Sequence, residues 1–434
     1  MRFKVFNSNS LNFYYVKVGV LSQLLEILSN FIEWAERLTW IDFILIFWPL
    51  LSIDFFRTLL KVTVVGLHAL YSKIHKVYYP AYFTPKVSIV IPAHNEEKVI
   101  QRSIESALDT DYPNKEIVVV DDGSTDRTYQ LAYPYAEKGL IKLLHNKVAS
   151  GSKSGALNLG LMFATGDIIV TVDADTILEH RAIKEAVKPL FNPRISAVSG
   201  NVRVLRGEHG NDNLLVKLQA YEYLLSLELG RRLNSIFRTL LMISGAFGVF
   251  WKKYVESLGR YDKDTMTEDF DVTIKMRKLG NRLFFAEKAL AWTFVPERWR
   301  DWRRQRLRWT IGQIETLWKH RNVFRKENFD LTFVLAIYDM LFMDFILLFV
   351  RITWLIFACT MLKQQLFNVL ILSIIVYTVL EMFSAITAGA LSPRKQDLKK
   401  IYLVPIVVIF YRPLYALVRF EAYIRWASKK KTKW

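Results

Sequence analysis

Gln305, Arg308 and Trp309 stand at i, i+3 and i+4 inside the basic run from Arg298 to Lys326. On a helix that spacing sets an amide, a guanidinium and an indole on one face. A guanidinium grips phosphate oxygens in a fork, and an indole gives a sugar ring a flat surface to lie on. Upstream, Asp173 and Asp175 flank Ala174. Two carboxylates one residue apart repel unless a cation sits between them or a sharp bend parts their side chains. Oxygen donors suit Mg2+ or Mn2+, which usually bind one or two carboxylates together with substrate phosphates. These residue types point to phosphate chemistry beside a sugar. A bare Asp-x-Asp also arises by chance, and Asp121-Asp122-Gly123-Ser124 also reads as a turn that caps the next helix.

The run from Arg298 to Lys326 carries ten Lys or Arg against Asp301 and Glu315, with Trp299, Trp302, Trp309 and Trp318 among them. It reads equally as a basic amphipathic helix at a membrane surface, with tryptophans at the headgroup level. The two readings are compatible. The run stops near Leu331, where a long apolar stretch begins.

The elements that position these residues follow from periodicity. Val87 to Ile91 reads as a strand ended by Pro92, Glu97 to Leu108 as a helix, and Glu116 to Val120 as a second strand ending at Asp121-Asp122. Thr125 to Tyr135 is predicted helical, Ile141 to His145 a short strand, Lys153 to Thr165 a helix, and Asp167 to Val172 a strand ending at Asp173-Ala174-Asp175. Arg181 to Leu190 (helix), Ile195 to Val204 (strand) and Leu214 to Leu229 (amphipathic helix) follow. Thr267-Glu268-Asp269 opens a helix from Phe270 to Leu279, closed by Gly280-Asn281. Alternating strands and helices predict an α/β domain with a mostly parallel sheet. In such sheets ligands bind beyond the carboxyl ends of the strands, where Pro92-Ala93-His94, Asp121-Asp122 and Asp173-Ala174-Asp175 all fall.

The bulk numbers leave room for this domain and for membrane segments. The chain has 434 residues, is 52% hydrophobic and carries a net charge of +18. No zinc finger, basic zipper or RNA-recognition signature accompanies that charge, so nucleic acid is not the expected partner. An anionic membrane surface and a phosphate-bearing substrate fit better. Cys359 is the only cysteine, which excludes an intrachain disulfide and a cysteine metal site. It lies in an apolar stretch and is expected to be inert. No cleavable leader is read in Met1 to Tyr15. Leu11 to Ile32 either spans a bilayer or lies in its interface. Trp40 to Gly66 is the better span, with Asp54 and Arg57 placed to pair inside it. Lys73, His75 and Lys76 put the region that follows on the cytoplasmic side. Leu331 to Met361 and Leu366 to Leu391 are long enough to span, and Ile401 to Val418, interrupted by Arg412-Pro413, reads as re-entrant or interfacial. The loop Ser392 to Lys400 and the tail Lys429 to Lys431 both favour the cytoplasm, which leaves the C-terminal topology open. The division expected is a membrane region over 1–84, a catalytic domain over 85–297, basic interfacial helices over 298–330 and a second membrane region over 331–434.

Taken in order, six elements carry a resemblance. They are Val87-Ser88-Ile89-Val90-Ile91-Pro92-Ala93-His94-Asn95-Glu96, Val120-Asp121-Asp122-Gly123-Ser124, Lys153-Ser154-Gly155-Ala156-Leu157-Asn158, Asp173-Ala174-Asp175, Thr267-Glu268-Asp269 and Gln305-Arg306-Leu307-Arg308-Trp309. The chain resembles the family 2 glycosyltransferases of the GT-A fold, of the membrane-embedded processive kind, with poly-N-acetylglucosamine, chitooligosaccharide and hyaluronan synthases as the nearest branches. Ser244-Gly245-Ala246 resembles the acceptor-side loop of that family.

The resemblance implies roles. Asp122, the Pro92 and Ala93 backbone and Glu96 would hold the uridine of a UDP-sugar, with Lys153 near the nucleotide. Asp175 and Asp173 would place Mg2+ or Mn2+ on the diphosphate. Asp269 would be the general base. Gln305 and Arg308 would steady the leaving diphosphate, and Trp309 and Gly245 would face the acceptor sugar. The bland reading of Asp269 is a carboxylate at a helix start, worth about 0.3–1 kcal/mol. The implied partners are a UDP-sugar, a polysaccharide or lipid acceptor, the bilayer of the cell membrane and, where export needs one, an accessory export protein. Processive synthesis, transfer of one sugar to a lipid and a non-enzymatic scaffold are the three functions to separate. His94 replaces the tyrosine of many relatives, and 392–400 lacks the gating-loop pattern of regulated cellulose synthases.

Overall fold

The computed structural model describes residues 22–23, 25–75, 77–80, 82–324, 330–341 and 345–428. The leader reading of Met1 to Tyr15, the start of the Leu11–Ile32 stretch and the tail Lys429 to Lys431 lie outside the described residues. The chain forms two units, 1–57 with 349–377, and 58–348 with 378–434.

The larger unit is built on an eight-stranded sheet of order β3-β2-β1-β4-β7-β6-β8-β5. Its strands are β1 (Val87–Ala93), β2 (Lys115–Asp121), β3 (Lys142–His145), β4 (Ile168–Val172), β5 (Thr176–Leu178), β6 (Ile195–Gly207), β7 (Phe247–Trp251) and β8 (Arg282–Val295). Every residue of β1 and β4 is buried, as expected of central strands covered on both faces. One apolar cluster joins Ile89, Ile91, Val119 and Val170 to Ile100 and Ile104 of α1 (Ile100–Asp109). A second, on the opposite face, joins Val90, Val118, Val120 and Ile169 to Leu157 and Leu161 of α2 (Lys153–Phe163). A side chain at Gly160 would stand 2.4 Å from Val90 Cγ1, so α2 lies almost flush on the sheet.

The sheet is less parallel than the sequence predicts. β1, β2, β3 and β4 run parallel, but β7 is antiparallel to both β4 and β6, and β5 is antiparallel to β8. β6 runs parallel to β8, and helices still separate β5, β6, β7 and β8, so the alternation of strands and helices continues while the sheet becomes mixed. Leu214 to Leu229 is helical as expected: α3 (Leu214–Leu225) continues through a π-type turn to Arg231. Next come α4 (Glu268–Lys278) and α5 (Trp299–Lys319). Near the C-terminus α6 (Arg412–Ala427) packs its apolar side with Leu215, Leu218, Tyr221, Trp302 and Leu307.

Among the described residues two helices are long and apolar enough to cross a membrane, Leu366–Leu391 and Lys395–Ala427. The second is continuous through Arg412-Pro413, where a π-type turn, Val407–Tyr411, runs directly into α6; the break expected there is not a break. The stretch expected to span, Leu331 to Met361, is helical over Leu331–Leu341 and Leu347–Met361, and 342–344 between them lie outside the described residues. Trp40 to Gly66 falls on two helices bent by 80°. In the smaller unit Asp54 accepts from Arg351 at 2.8 Å and from Tyr377 at 2.6 Å. Trp354 donates to the Ile46 carbonyl at 2.7 Å. Cys359 is exposed on its helix.

Candidate active site

The site begins at the ends of β1, β2 and β4. Pro92 and Ala93 close β1 in register with Val120 and Asp121. The Asp122 N–H donates to the Ala93 carbonyl at 2.8 Å, and His94 Nδ1 donates to the Asp122 carbonyl at 2.8 Å. Asn95 is held at φ +58°, a conformation uncommon outside glycine. Its N–H donates to Ser124 Oγ at 2.9 Å and its side-chain oxygen accepts from the Thr125 N–H at 2.8 Å, so both strand-end loops are fixed to each other. The Asp122 carboxylate accepts from Asn146 Nδ2 (2.7 Å), the Ser150 N–H (2.9 Å) and Ser150 Oγ (2.7 Å). It thereby ties down the loop that leads into α2. Gly123 lies in the left-handed region at φ +68°, and a side chain there would stand 2.5 Å from the Ala149 nitrogen.

Lys153 opens α2 and reaches across to two carboxylates. Its ammonium pairs with Asp173 Oδ1 and lies 3.4 Å from Glu268 Oε1. Burial opposes that charge, but Asp173, Glu268 and Asp269 outweigh it and hold the ammonium above the ordinary lysine range. Asp175 is pushed up to about 7 by burial and then by the Asp173 charge. Glu96 is pushed up to about 8 by burial and then by Asp175 and Asp173. The strand ends thus gather more negative charge than Lys153 alone offsets. A divalent cation is the partner such a donor set lacks, and the residues fit one. Among the described residues no three His, Cys, Asp or Glu side chains form a protein-only cage, so the set suits an ion that takes its remaining oxygens from elsewhere.

Asp269 sits in the first turn of α4. Its carboxylate accepts from the Gly245 N–H at 2.9 Å and from its own neighbour, the Phe270 N–H, at 2.8 Å. Burial, then the Glu268 charge, raises it to about 6 against the pull of Lys153 and the two N–H groups. A side chain at Gly245 would stand 3.1 Å from both Asp269 Oδ2 and Lys153 Nζ, so glycine here lets the loop come up against both groups. Residues 92 apart in sequence, Lys153 and Gly245, and then Asp269, meet at one point. Sequence reasoning had no signal for a further neighbour, Arg231, whose guanidinium donates to Ser199 Oγ at 2.5 Å and lies within the field of Asp269.

α5 is seated on this point by three contacts. A side chain at Gly312 would stand 2.7 Å from Thr267 Cγ2, the residue that caps α4. Thr267 and Thr316 hydroxyls bond at 3.1 Å. Buried Asp271 accepts from His320 Nε2 at 2.8 Å and pairs with Lys319 at 3.1 Å and Lys275 at 3.2 Å. Burial works against the Asp271 charge, and His320, Lys275 and Lys319 more than reverse it, holding the carboxyl well below its ordinary range.

On α5 a fourth residue joins the predicted trio. Gln305 and Trp309 are brought together, but by Arg306 rather than Arg308. Arg306 is fully buried, donates to Gln305 Oε1 at 2.9 Å and lies 4.3 Å from the Trp309 ring centroid. Arg308 is exposed and has no hydrogen bond or ion pair among the described residues. Spacing along a helix could not say which cation the fold would bury.

Comparison with known proteins agrees with this geometry. Residues 88–259 match the model of glycosyl transferase family 2. A poly-β-1,6-N-acetyl-D-glucosamine synthase of Staphylococcus epidermidis is 31% identical over 232 residues, 53% of this chain and 55% of that protein. A probable glycosyltransferase of Bacillus subtilis, YdaM, is 32% identical over 274 residues, 61% of this chain and 64% of that protein. The matches thus span between half and two thirds of these relatives. Among solved structures, a mannosyltransferase of Pyrobaculum calidifontis in complex with GDP-Man and Mn2+ superposes with a TM-score of 0.59 at 20% identity, over 89% of this chain and 99% of that one. The fold is that of the GT-A enzymes, and the chain carries a family 2 glycosyltransferase domain.

Proposed function

We propose that the protein is a membrane glycosyltransferase that moves a sugar from a UDP-sugar to a growing polysaccharide with inversion, with UDP-N-acetylglucosamine as donor. The observation that carries this reading is the meeting of Lys153, Gly245 and Asp269 beside the Asp173–Asp175 pair, under a helix that presents Gln305 and Trp309. The names of the Staphylococcus and Bacillus relatives support it. On this reading 85–297 is the catalytic segment, 298–330 lies at the membrane surface, and 1–84 and 331–434 anchor a multi-pass protein with its site on the cytoplasmic side of the cell membrane. The growing chain passes out through the same protein, with an accessory export protein where one is needed.

The residues divide the work by position. Pro92, Ala93 and Asp122 frame the nucleotide. Glu96 stands with them on the nucleotide side, and Asp173 and Asp175 would hold Mg2+ or Mn2+. The bound ion would supply positive charge to the leaving diphosphate. Lys153 and the amide of Gln305 face the same developing charge, and preorganised donors of this kind are worth most where water is excluded. Asp269 accepts the proton of the acceptor hydroxyl while that oxygen attacks the sugar carbon opposite the departing UDP. One base suffices for one displacement, which inverts the anomeric centre. Trp309, with its indole beside the amide of Gln305, offers the acceptor sugar a surface. Arg308, free on α5, is available to a substrate phosphate.

The test is UDP release by the full chain, purified in detergent with Mg2+ or Mn2+, against a panel of UDP-sugars, coupled to sizing of the labelled product. A long polymer from UDP-N-acetylglucosamine is expected. A single sugar on a lipid would keep the site and replace the polysaccharide acceptor. No nucleotide released from any donor would refute the reading.

A further inference from the structure

Arg306 is the least expected member of the site. It occupies a position inside Gln305–Trp309 that the phosphate chemistry does not require, yet it is fully buried. Its guanidinium lies over three aromatic rings, at 4.3 Å from Trp309, 5.7 Å from Tyr415 and 5.9 Å from Trp302. Its two terminal nitrogens are divided. One donates to Gln305 Oε1 at 2.9 Å and the other to Glu222 Oε2 at 2.8 Å. The Glu222 oxygen also accepts a short bond from Tyr411, whose hydroxyl accepts from Trp302 Nε1 at 3.0 Å. Glu222 lies on α3, Trp302 on α5, and Tyr411 directly precedes α6. α3 is tied to the apolar helices a second time, since Tyr221 donates to Glu381 at 2.9 Å and Glu381 pairs with Arg412 at 2.6 Å.

A buried ion pair is a poor way to stabilise a fold. A hydrocarbon side chain would fill a space among Trp302, Trp309 and Tyr415 without desolvating a charge. Arg306 also leaves its Nε–H without a partner. What the guanidinium does that hydrocarbon cannot is fix the side-chain amide of Gln305 and the ring of Trp309 at once. It presents one planar group to both, and is itself anchored by Glu222.

We propose that Arg306, anchored by Glu222 and Tyr411, is the positioning residue that sets Gln305 on the donor side and Trp309 on the acceptor side, and that it links their geometry to the C-terminal apolar helix. It touches neither substrate. The inference rests on the transferase reading above and deepens it: the two sides of the reaction are held in register by one buried cation. When the register is loosened, the donor still binds, through the strand-end loops, but water replaces the misplaced acceptor hydroxyl.

The experiment uses the full chain in detergent, with UDP release and sugar incorporation measured together for Arg306→Lys, Glu222→Gln and Tyr411→Phe. Lysine keeps the charge and loses the planar fork. Arg306→Lys is expected to lower sugar incorporation by about ten- to a hundredfold, the scale of an ångström misplacement. The donor KM should stay within about threefold, and more UDP should be released per sugar transferred. Glu222→Gln should do the same more weakly, and Tyr411→Phe, which leaves the Arg306–Glu222 pair intact, more weakly still. In a Gln305→Ala background the added effect of Arg306→Lys on sugar incorporation should shrink to the part carried through Trp309. Equal falls in hydrolysis and transfer, in step with loss of folded protein, would show a structural role only and overturn the proposal, as would unchanged coupling in all three variants. Tyr411→Phe removes a single hydroxyl and keeps the test open if the charged variants fail to fold. Absence of nucleotide release from the unsubstituted protein would instead overturn the transferase reading itself.

Discussion

As the proposed base, Asp269 has to be ionised to accept a proton, yet its setting resists ionisation. Its carboxyl is raised to about 6 by burial and the Glu268 charge. Transfer is therefore expected to be slow below pH 6, to rise as the pH passes through about 6 and to level above it; a pH–rate profile for sugar incorporation with saturating donor checks this. The stability sign is opposite. A carboxyl with a folded value above its unfolded one favours the fold when protonated, and that contribution is lost as pH rises through about 6. Asp269→Asn cannot accept the proton and carries no charge to desolvate. It should bind UDP normally, transfer about 10²–10⁴-fold more slowly, and melt higher than the parent above pH 6. Normal turnover in that variant would remove Asp269 as the base. The Asp173–Asp175 pair makes a separate demand. Exhaustive chelation with EDTA should stop UDP release, and Mg2+ or Mn2+ should restore it; activity that survives chelation would leave these carboxylates without their assigned ion.

At the scale of elements, the proposed transfer depends on how closely α5 sits on α4. A leucine at Gly312 would collide with Thr267, whose Cγ2 lies 2.7 Å from the first added carbon. Overpacking of this kind costs about 1–3 kcal/mol. Because the collision is at the cap of the helix that bears Asp269, Gly312→Leu should reduce transfer more than UDP binding. Asp271→Ala should be worse for the fold. It strands His320 and Lys275 around a buried site, and breaking a buried pair costs about 3–5 kcal/mol; a thermal melt near neutral pH measures it. The sequence displays these elements unevenly. Strand ends are local: an apolar run stopped by Pro92 or Asp173 is visible in five residues, and the structure places both at the site. The seating of α5 is not local. Arg306 finds Glu222 84 residues away and Asp271 finds His320 49 residues away, so no spacing rule reaches them. β7 and β8 were missed for a related reason. β7 holds a glycine, β8 carries Glu287 and Lys288 in mid-strand, and both are strands because neighbours pair with them.

At the scale of the whole molecule, apolar length was legible and continuity was not. The sequence reading split at Pro413 a helix that is continuous there, because a proline looks like a stop when its neighbours in space are unknown. Leu366–Leu391 is helical over the bounds read from the sequence, with one carboxylate, Glu381, paired to Arg412 and bonded by Tyr221. Paired charges are what a span tolerates, and an unpaired one near its middle is not. Ile375 lies near the middle of this helix with its side chain exposed, so a substitution there removes little packing and tests the surroundings alone. If hydrocarbon surrounds it, Ile375→Asp should lower insertion by about 2.5–3.5 kcal/mol, the cost of an aspartate at a span centre. Ile375→Leu should change nothing. The measurement is the fraction of each variant that stays with membranes after alkaline extraction, together with a reporter fused after Leu391. Equal retention and equal reporter sidedness for Asp and Leu would place water, not lipid, around this helix. A selective loss with Asp would place lipid around the middle of this helix.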